Sequence, residues 1–311
     1  MKKNLGILLL ILFLALLPLL AGKYLLYVTI HILLLSIFSL GFNLLFGYTG
    51  LLSFGQAGFY AAGAYGCAKI LLAYPSLLFG IVGGVAVAGI ASFLLGLLCI
   101  RHTRIYFSML TLSFGMMIFS LAWKWRDMTG GDDGLVGIPR APLEVPGLFK
   151  INMDAMESYY FVVLAFSLLA IFVFHRIIHS PLGLTLQGIR DSETRTACIG
   201  ISVRKYRLLS FTLAGLYAGL AGALLPPLES TVTPPVAHWS HSAEPVLATL
   251  LGGIHTFAGP IVGSALFYLL KDMIVRFTEY WLICLGVIVV VLVMGFRGGV
   301  VSIFLKEGGR R

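Results

Sequence analysis

Charged residues are scarce in this sequence. Only 11% of its 311 residues are Asp, Glu, Lys or Arg, against 59% hydrophobic ones, whereas a soluble exterior calls for about 25% charged residues. No long polar block interrupts the chain, so it has no room for a soluble catalytic, nucleotide-binding or DNA-binding domain. The Gly-x-x-x-x-Gly-Lys-Ser/Thr pattern that cradles nucleotide phosphates is missing, so any ATP must be used by another chain. Cys67, Cys99, Cys198 and Cys284 lie far apart without a Cys-x-x-Cys pair, and three of them fall in apolar stretches as small core residues. There is neither a His-Glu-x-x-His helix nor a pair of buried carboxylates, which leaves an intramembrane enzyme without its acid, base or metal. None of the 13 carboxylates sits in the middle of a long apolar span; Glu229, Glu244, Asp272 and Glu279 fall near ends or connections. That weighs against an ion-coupled carrier, which needs an ionisable or coordinating group at depth. Backbone carbonyls, Asn43, Ser53, Gln56 or Thr256 would have to bind its sodium.

What the chain has is apolar length. Its mean hydropathy is +0.97, and its 36 glycines suit closely approaching transmembrane helices. Apolar segments run over residues 25–46, 51–73, 76–98, 105–123, 160–174, 208–225, 245–270 and 281–296. Residues 5–20, after Met1-Lys2-Lys3, could be a signal peptide, but without a small-x-small cleavage site they are read as an uncleaved first span. Lengths near 20 residues indicate helices rather than barrel strands. The expected architecture is an all-α polytopic membrane protein of eight to ten crossings.

The formal charge of +9 comes from basic residues flanking these spans, which orient a protein in a membrane and do not imply nucleic acid. Lys2, Lys3, the Arg101–Arg104 link and the Arg-rich stretch from His175 to Arg207 place those connections inside. Residues 124–158, with Asp127, Asp132, Asp133, Glu144, Asp154 and Glu157, then form an external loop. Trp123, Trp125, Trp239 and Trp281 lie at segment ends or in loops, at headgroup level. A cytoplasmic C-terminal tail, expected from Arg297, Lys306, Arg310 and Arg311, requires the 245–270 segment to break at residues 252–259. A second Gly-rich interruption spans residues 47–58. Irregular backbone at membrane depth is tolerated only where it is buried or lines a cavity, so both breaks mark functional positions. The spans entering them are expected to run in opposite directions, as in an inverted repeat.

Polar residues near the breaks, Asn43, Ser53, Gln56, His255 and Thr256, are the candidates for lining or shaping a path. Gly215, Gly219, Gly222, Gly259 and Gly263 occur at small-x-x-x-small spacing for helix packing. His238, His241 and Glu244 have helical ligand spacing but read better as a polar external loop than as a metal site, and His31 as a packing residue. Residues 187–203 should contain a short helix starting near Asp191 or Ser192 and ending at Gly200.

The runs Gly47-Tyr48-Thr49-Gly50-Leu51-Leu52-Ser53-Phe54-Gly55-Gln56-Ala57, Gly188-Ile189-Arg190-Asp191-Ser192-Glu193 with Gly200-Ile201-Ser202-Val203, and Leu251-Gly252-Gly253 through Gly259-Pro260 resemble the permease subunits of branched-chain amino-acid ABC importers, particularly the M-type member of the pair. The resemblance, over about residues 25–297, implies one permease domain for residues 1–311 in a bacterial cytoplasmic membrane; the basic residues put both termini inside. It implies a second homologous permease, two cytosolic ATPase subunits that use ATP and Mg, an external substrate-binding protein, and no cofactor or metal held by this chain. Residues 179–207 would be the cytoplasmic coupling segment, with Arg190, Asp191, Ser192, Glu193, Ala197 and Gly200 at the ATPase contact. Thr194, Arg195 and Thr196 stand where the family often has alanines. The implied cargo is a branched-chain or related hydrophobic amino acid, with urea or a short amide as the alternative.

Overall fold

A computed structural model describes residues 14–18, 22–102, 104–145, 149–151, 153, 155–278, 280–295 and 299–300. The predicted first span, residues 5–20, lies outside them except for the helical turn at 14–18. So do Arg297, Lys306, Arg310 and Arg311. Long helices dominate the described residues: α1 (Lys23–Asn43), α2 (Gln56–Ala73), α3 (Leu77–Cys99), α4 (Arg104–Lys124), α5 (Met156–Ile178), α6 (Pro181–Asp191), α7 (Glu193–Cys198), α8 (Val203–Ala223), α9 (Trp239–Gly252), α10 (Gly259–Phe277) and α11 (Trp281–Gly295). Among the described residues, five helical stretches are long and apolar enough to cross a membrane by themselves: residues 23–48, 77–99, 104–124, 156–178 and 203–229.

Among these five, the α1 stretch is the most buried and α4 the most exposed; α1 packs against α5, α8, α9 and α10. α8 packs against it and against α2 and α3 through small residues. A side chain at Gly222 would collide with the Tyr60 carbonyl, at Gly63 with that of Gly219, and at Gly215 with Ser92. Backbones approach this closely only where no Cβ intervenes, and dispersion between helices replaces the solvent-driven collapse of a soluble core.

Both expected interruptions are present. α1 loosens into a π-helical turn at Leu44–Tyr48, and residues 49–55 are irregular before α2 starts at Gln56. Hydroxyls on three other helices hold this stretch and the start of α2: Ser108 Oγ donates to the Leu52 carbonyl (2.7 Å), Thr49 Oγ1 pairs with Ser210 Oγ (2.7 Å), and the Ala57 amide in the first turn of α2 donates to Ser242 Oγ (2.8 Å). Side-chain satisfaction of this kind is what allows non-helical backbone inside a membrane bundle. The second break occupies residues 253–258, between α9 and α10, with Gly253 at φ 116°.

The chain reverses at the second break, making α9 and α10 an antiparallel pair. Lys271 Nζ meets Glu244 Oε1 at 2.6 Å, while nearer the turn Gly263 faces the Ala248 carbonyl and Gly252 faces Gly259. α10 also runs antiparallel to α1, with His31 stacked on Tyr268 and Ser264 Oγ bonded to Ser39 Oγ (2.9 Å). It follows that α1 and α9 enter their breaks in the same direction, which corrects the expectation of opposite directions. The hairpin at 253–258 makes the reversal locally, so no inverted copy of the first unit is required.

The segment between α4 and α5 carries short antiparallel ribbons. β1 (Leu135–Val136) pairs with β4 (Thr231–Val232), and β2 (Leu143–Val145) with β3 (Phe149–Ile151). Arg140 donates to the carbonyls of Pro227 (2.9 Å) and Leu228 (3.3 Å), which ties this segment to the turn after α8.

Candidate functional site

The three motif segments, far apart in sequence, meet at Arg190 in the last turn of α6. Its Nη1 donates to the Gly47 carbonyl at 2.7 Å, at the first break, and lies 3.2 Å from His255 Nδ1, in the second. Since a guanidinium cannot accept a hydrogen bond, His255 Nδ1 must be the acceptor, which leaves the ring hydrogen on Nε2. Nε and Nη2 bind Asp191 Oδ1 at 3.1 and 3.0 Å, so the guanidinium is oriented from its own helix.

Glycine makes this junction possible. A Cβ at Gly47 would lie 2.6 Å from the Ile254 carbonyl and against Asn43, so the two breaks are in direct contact. Gly50, at φ 78°, passes under the stem of Arg190, where a Cβ would sit 3.0 Å from Cγ.

Beyond Arg190 the chain forms the expected short helix, displaced by one or two residues. Asp191 closes α6, Ser192 caps α7 by accepting from the Arg195 amide (3.4 Å), and α7 ends at Cys198. Gly200 follows at φ 87°. Glu193, about half exposed, is held from within the bundle. Its carboxylate takes a two-pronged bond from Arg207 of α8, Nη1 to Oε1 at 2.8 Å and Nη2 to Oε2 at 2.7 Å, and the Arg207 side chain is only 9% exposed. Planar fork-to-fork pairing fixes orientation as well as distance. Thr194, Arg195, Ala197, Cys198 and Ile199 remain exposed, Ile199 at 75%. α7 is thus a surface helix rooted in α8 through Glu193 and joined to both breaks through Arg190.

The polar candidates near the breaks divide into two groups. His255 faces Arg190, and Thr256 Oγ1 closes its own loop on the Gly253 carbonyl at 3.0 Å. Asn43, Ser53 and Gln56 are completely buried, and neither amide of Asn43 or Gln56 has a hydrogen-bond partner among the described residues. These three lie within the packed interior beside the first break and face no open surface.

Two ionic clusters escaped the sequence reading, which placed their carboxylates at helix ends. Glu229 accepts from Tyr27 (2.6 Å) and meets His31 Nε2 at 2.9 Å. Glu244, inside α9, binds Lys271 and lies 3.4 Å from His241 Nδ1. The spacing His238-x-x-His241-x-x-Glu244 therefore does not become one site: His238 Nδ1 pairs with Ser240 Oγ (2.9 Å) and its ring packs on Phe119. No group of three metal-ligating side chains occurs among the described residues. The only sequence signal for these clusters was the rarity of charge itself, because an ionisable residue in so apolar a chain needs a partner.

A helical bundle with two interrupted helices held against each other, and a surface helix tied to both, defines a multi-pass membrane transport component. Residues 24–293 match the family described as "Branched-chain amino acid transport system / permease component", and the chain belongs to that family. It is 30% identical over 278 residues to the high-affinity branched-chain amino acid transport system permease protein LivM of Escherichia coli K12. Identity to LivM of Salmonella typhimurium LT2 is 29% over the same length. The aligned region covers 83% of this chain and 65% of each LivM, so the chain spans about two thirds of those relatives. A probable branched-chain amino acid transport permease protein LivH of Methanocaldococcus jannaschii is 24% identical over 252 residues, 78% of this chain and 77% of LivH. No solved structure matches.

Proposed function

We propose that this chain is a membrane-spanning subunit of an ATP-driven importer for branched-chain or related hydrophobic amino acids, and that α6–α7 transmits the movement of a partner ATPase. The observation that carries this reading is the Arg190 bridge: one side chain on the exposed segment contacts both helix breaks at once. Closure of an ATPase pair would push α7, and Glu193 and Arg207 would carry the displacement into α8. Arg190 would carry it to residues 47 and 255. Packed helices switch between discrete arrangements rather than deforming continuously, so a rigid lever acting on two breaks is suited to opening one face and closing the other.

In this reading α6 and α7 face the cytoplasm of a bacterial inner membrane. The reversal at 253–258 supplies the extra turn that brings both termini to that side, and the packing of Gly299 on Gly253 agrees with it. The partners are a second homologous permease, two cytosolic ATPases and an external binding protein. The outward face of α4 suits the seam with the second permease. Met109, Ser113, Met117 and Ser120 are exposed along its middle, between Ile105 and Tyr106 at one end and Leu121 and Trp123 at the other, whereas the exposed residues of α3 include Phe79, Val82, Ile90, Phe93 and Leu94. Hydroxyls and flexible thioethers fit a passage for amino acids better than a lipid contact.

The test is uptake by proteoliposomes holding this chain with its genomic neighbours. Uptake of leucine, isoleucine or valine that needs ATP and the ATPase subunits supports the proposal. Concentration of any solute by this chain alone under an ion gradient would overturn it in favour of a secondary carrier. Uptake of urea or acetamide without leucine competition would move the cargo to short amides.

A further inference from the structure

We propose that His175 and His179 form a binding site for an imidazole-selective divalent transition-metal ion such as Zn2+, Ni2+ or Cu2+. The two residues are one helical turn apart at the end of α5, His179 being its C-terminal cap. Both are exposed, and their rings stack with centroids 4.1 Å apart and planes inclined by 29°. His179 Nδ1 lies 2.8 Å from the His175 carbonyl. A carbonyl only accepts, so Nδ1 carries the hydrogen and Nε2 retains a lone pair; metal-binding histidines are prepared by the same backbone bond. The ring nitrogens of His175 have no hydrogen-bond partner among the described residues.

Two metal–nitrogen bonds of about 2.0–2.1 Å at a tetrahedral angle place the nitrogens about 3.3 Å apart. The rings, 4.1 Å apart, lie close enough for one ion, and chelation turns them out of the stack so that a lone pair of each points at the metal. Free carbonyls at a helix C-terminus favour a cation there. Arg176, the other charge nearby, has its guanidinium over the Phe172 ring. Two imidazoles select borderline ions over Mg2+ or Ca2+, which prefer oxygen, and water would complete the coordination.

The location gives the site a consequence. His179 stands at the joint between α5 and α6, since Pro181 opens α6, and the His175 ring meets Phe257 of the second break edge-on at 5.3 Å. A metal bridging the pair stiffens the joint from which the coupling segment hangs. Binding requires only the two histidines; the consequence rests on the proposed role of α6–α7.

The experiment uses the full chain, free of any polyhistidine tag, in detergent. Cu2+ is the spectroscopic probe, read by electron paramagnetic resonance, and Zn2+ is titrated calorimetrically. The expected result is one site with nitrogen coupling from two imidazoles. His175→Gln and His179→Gln should each lower affinity at least about tenfold, and His238→Gln should leave it unchanged. Equal affinity in wild type and His179→Gln, or copper signals that follow His238 or His255, would overturn the site. In the complete importer Zn2+ should slow transport, EDTA should restore it, and His179→Gln should remove the sensitivity. Binding with no change in transport overturns the joint-stiffening role. Loss of the ATP requirement would instead defeat the importer reading and leave the metal site standing.

Discussion

Replacing Arg190 by Ala removes the side chain that hydrogen-bonds to both breaks, and its effect can be sized from the structure. The bond from Nη1 to the Gly47 carbonyl, at 2.7 Å, is charge-assisted and contributes about 1.5–3 kcal/mol. The longer contact to neutral His255 adds about 0.5–1 kcal/mol. The exposed pairing with Asp191 adds close to nothing, because water screens it. A total of about 2–4 kcal/mol corresponds to a coupling factor of about 30–900, at about 1.4 kcal/mol per tenfold. The expected phenotype is a complex that assembles and hydrolyses ATP but moves far less amino acid per ATP. Arg190→Lys should retain part of the coupling, since an ammonium can reach Gly47 but cannot at the same time offer Asp191 a planar fork. The assay is the ratio of transported substrate to phosphate released in proteoliposomes, with co-purification of the ATPases and thermal denaturation as controls for assembly. An unchanged ratio in the Arg190→Ala complex would refute the lever. A proportional loss of both activities in a fully assembled complex would also refute it, because the breaks would then not be what Arg190 controls.

The Glu193–Arg207 pair makes a second test. Glu193→Lys sets two cations together and should uncouple transport and lower the melting temperature, while the exchange Glu193→Arg with Arg207→Glu should restore much of both. A swapped protein no better than the single variant would mean that Glu193 acts on the ATPase directly. Gly222→Leu should prevent folding, measured as loss of monodisperse protein on size exclusion, because the side chain has no room against the Tyr60 carbonyl. Gly200→Ala meets no neighbouring atom and pays only for the left-handed backbone, about 1–2 kcal/mol; a loss as large as that of Gly222→Leu would show that something packs there. Ser242→Ala withdraws the hydroxyl bonded to the Ala57 amide and should cost about 1 kcal/mol by thermal denaturation, and no measurable change would mean that this amide is satisfied in another way.

The positions of the long helices were legible in the sequence because a membrane span is a local property. Twenty apolar residues satisfy their own backbone wherever they lie, and the observed helices match the predicted segments over residues 25–46, 76–98, 105–123 and 281–296 to within a few residues. Glycine and proline likewise announced both breaks locally, as they did the left-handed Gly200.

Which groups face one another was another matter. Gly47, Arg190 and His255 are separated by up to 208 positions, and no periodicity connects them; only the parallel course of α1 and α9 brings the breaks together under α6. Glu244 read as a residue at a segment end, yet α10 folds back and delivers Lys271 to it. His238 and Glu244 read as neighbours, yet His238 turns to Ser240 and Phe119 while Glu244 binds His241 and Lys271. In a chain this apolar, the sequence by itself determined that helices form and where they are interrupted, because hydrogen bonding within a segment is paid for locally. The tertiary structure decided which charges pair and which breaks touch, because a charge in low dielectric goes to whatever partner the packing of distant helices supplies.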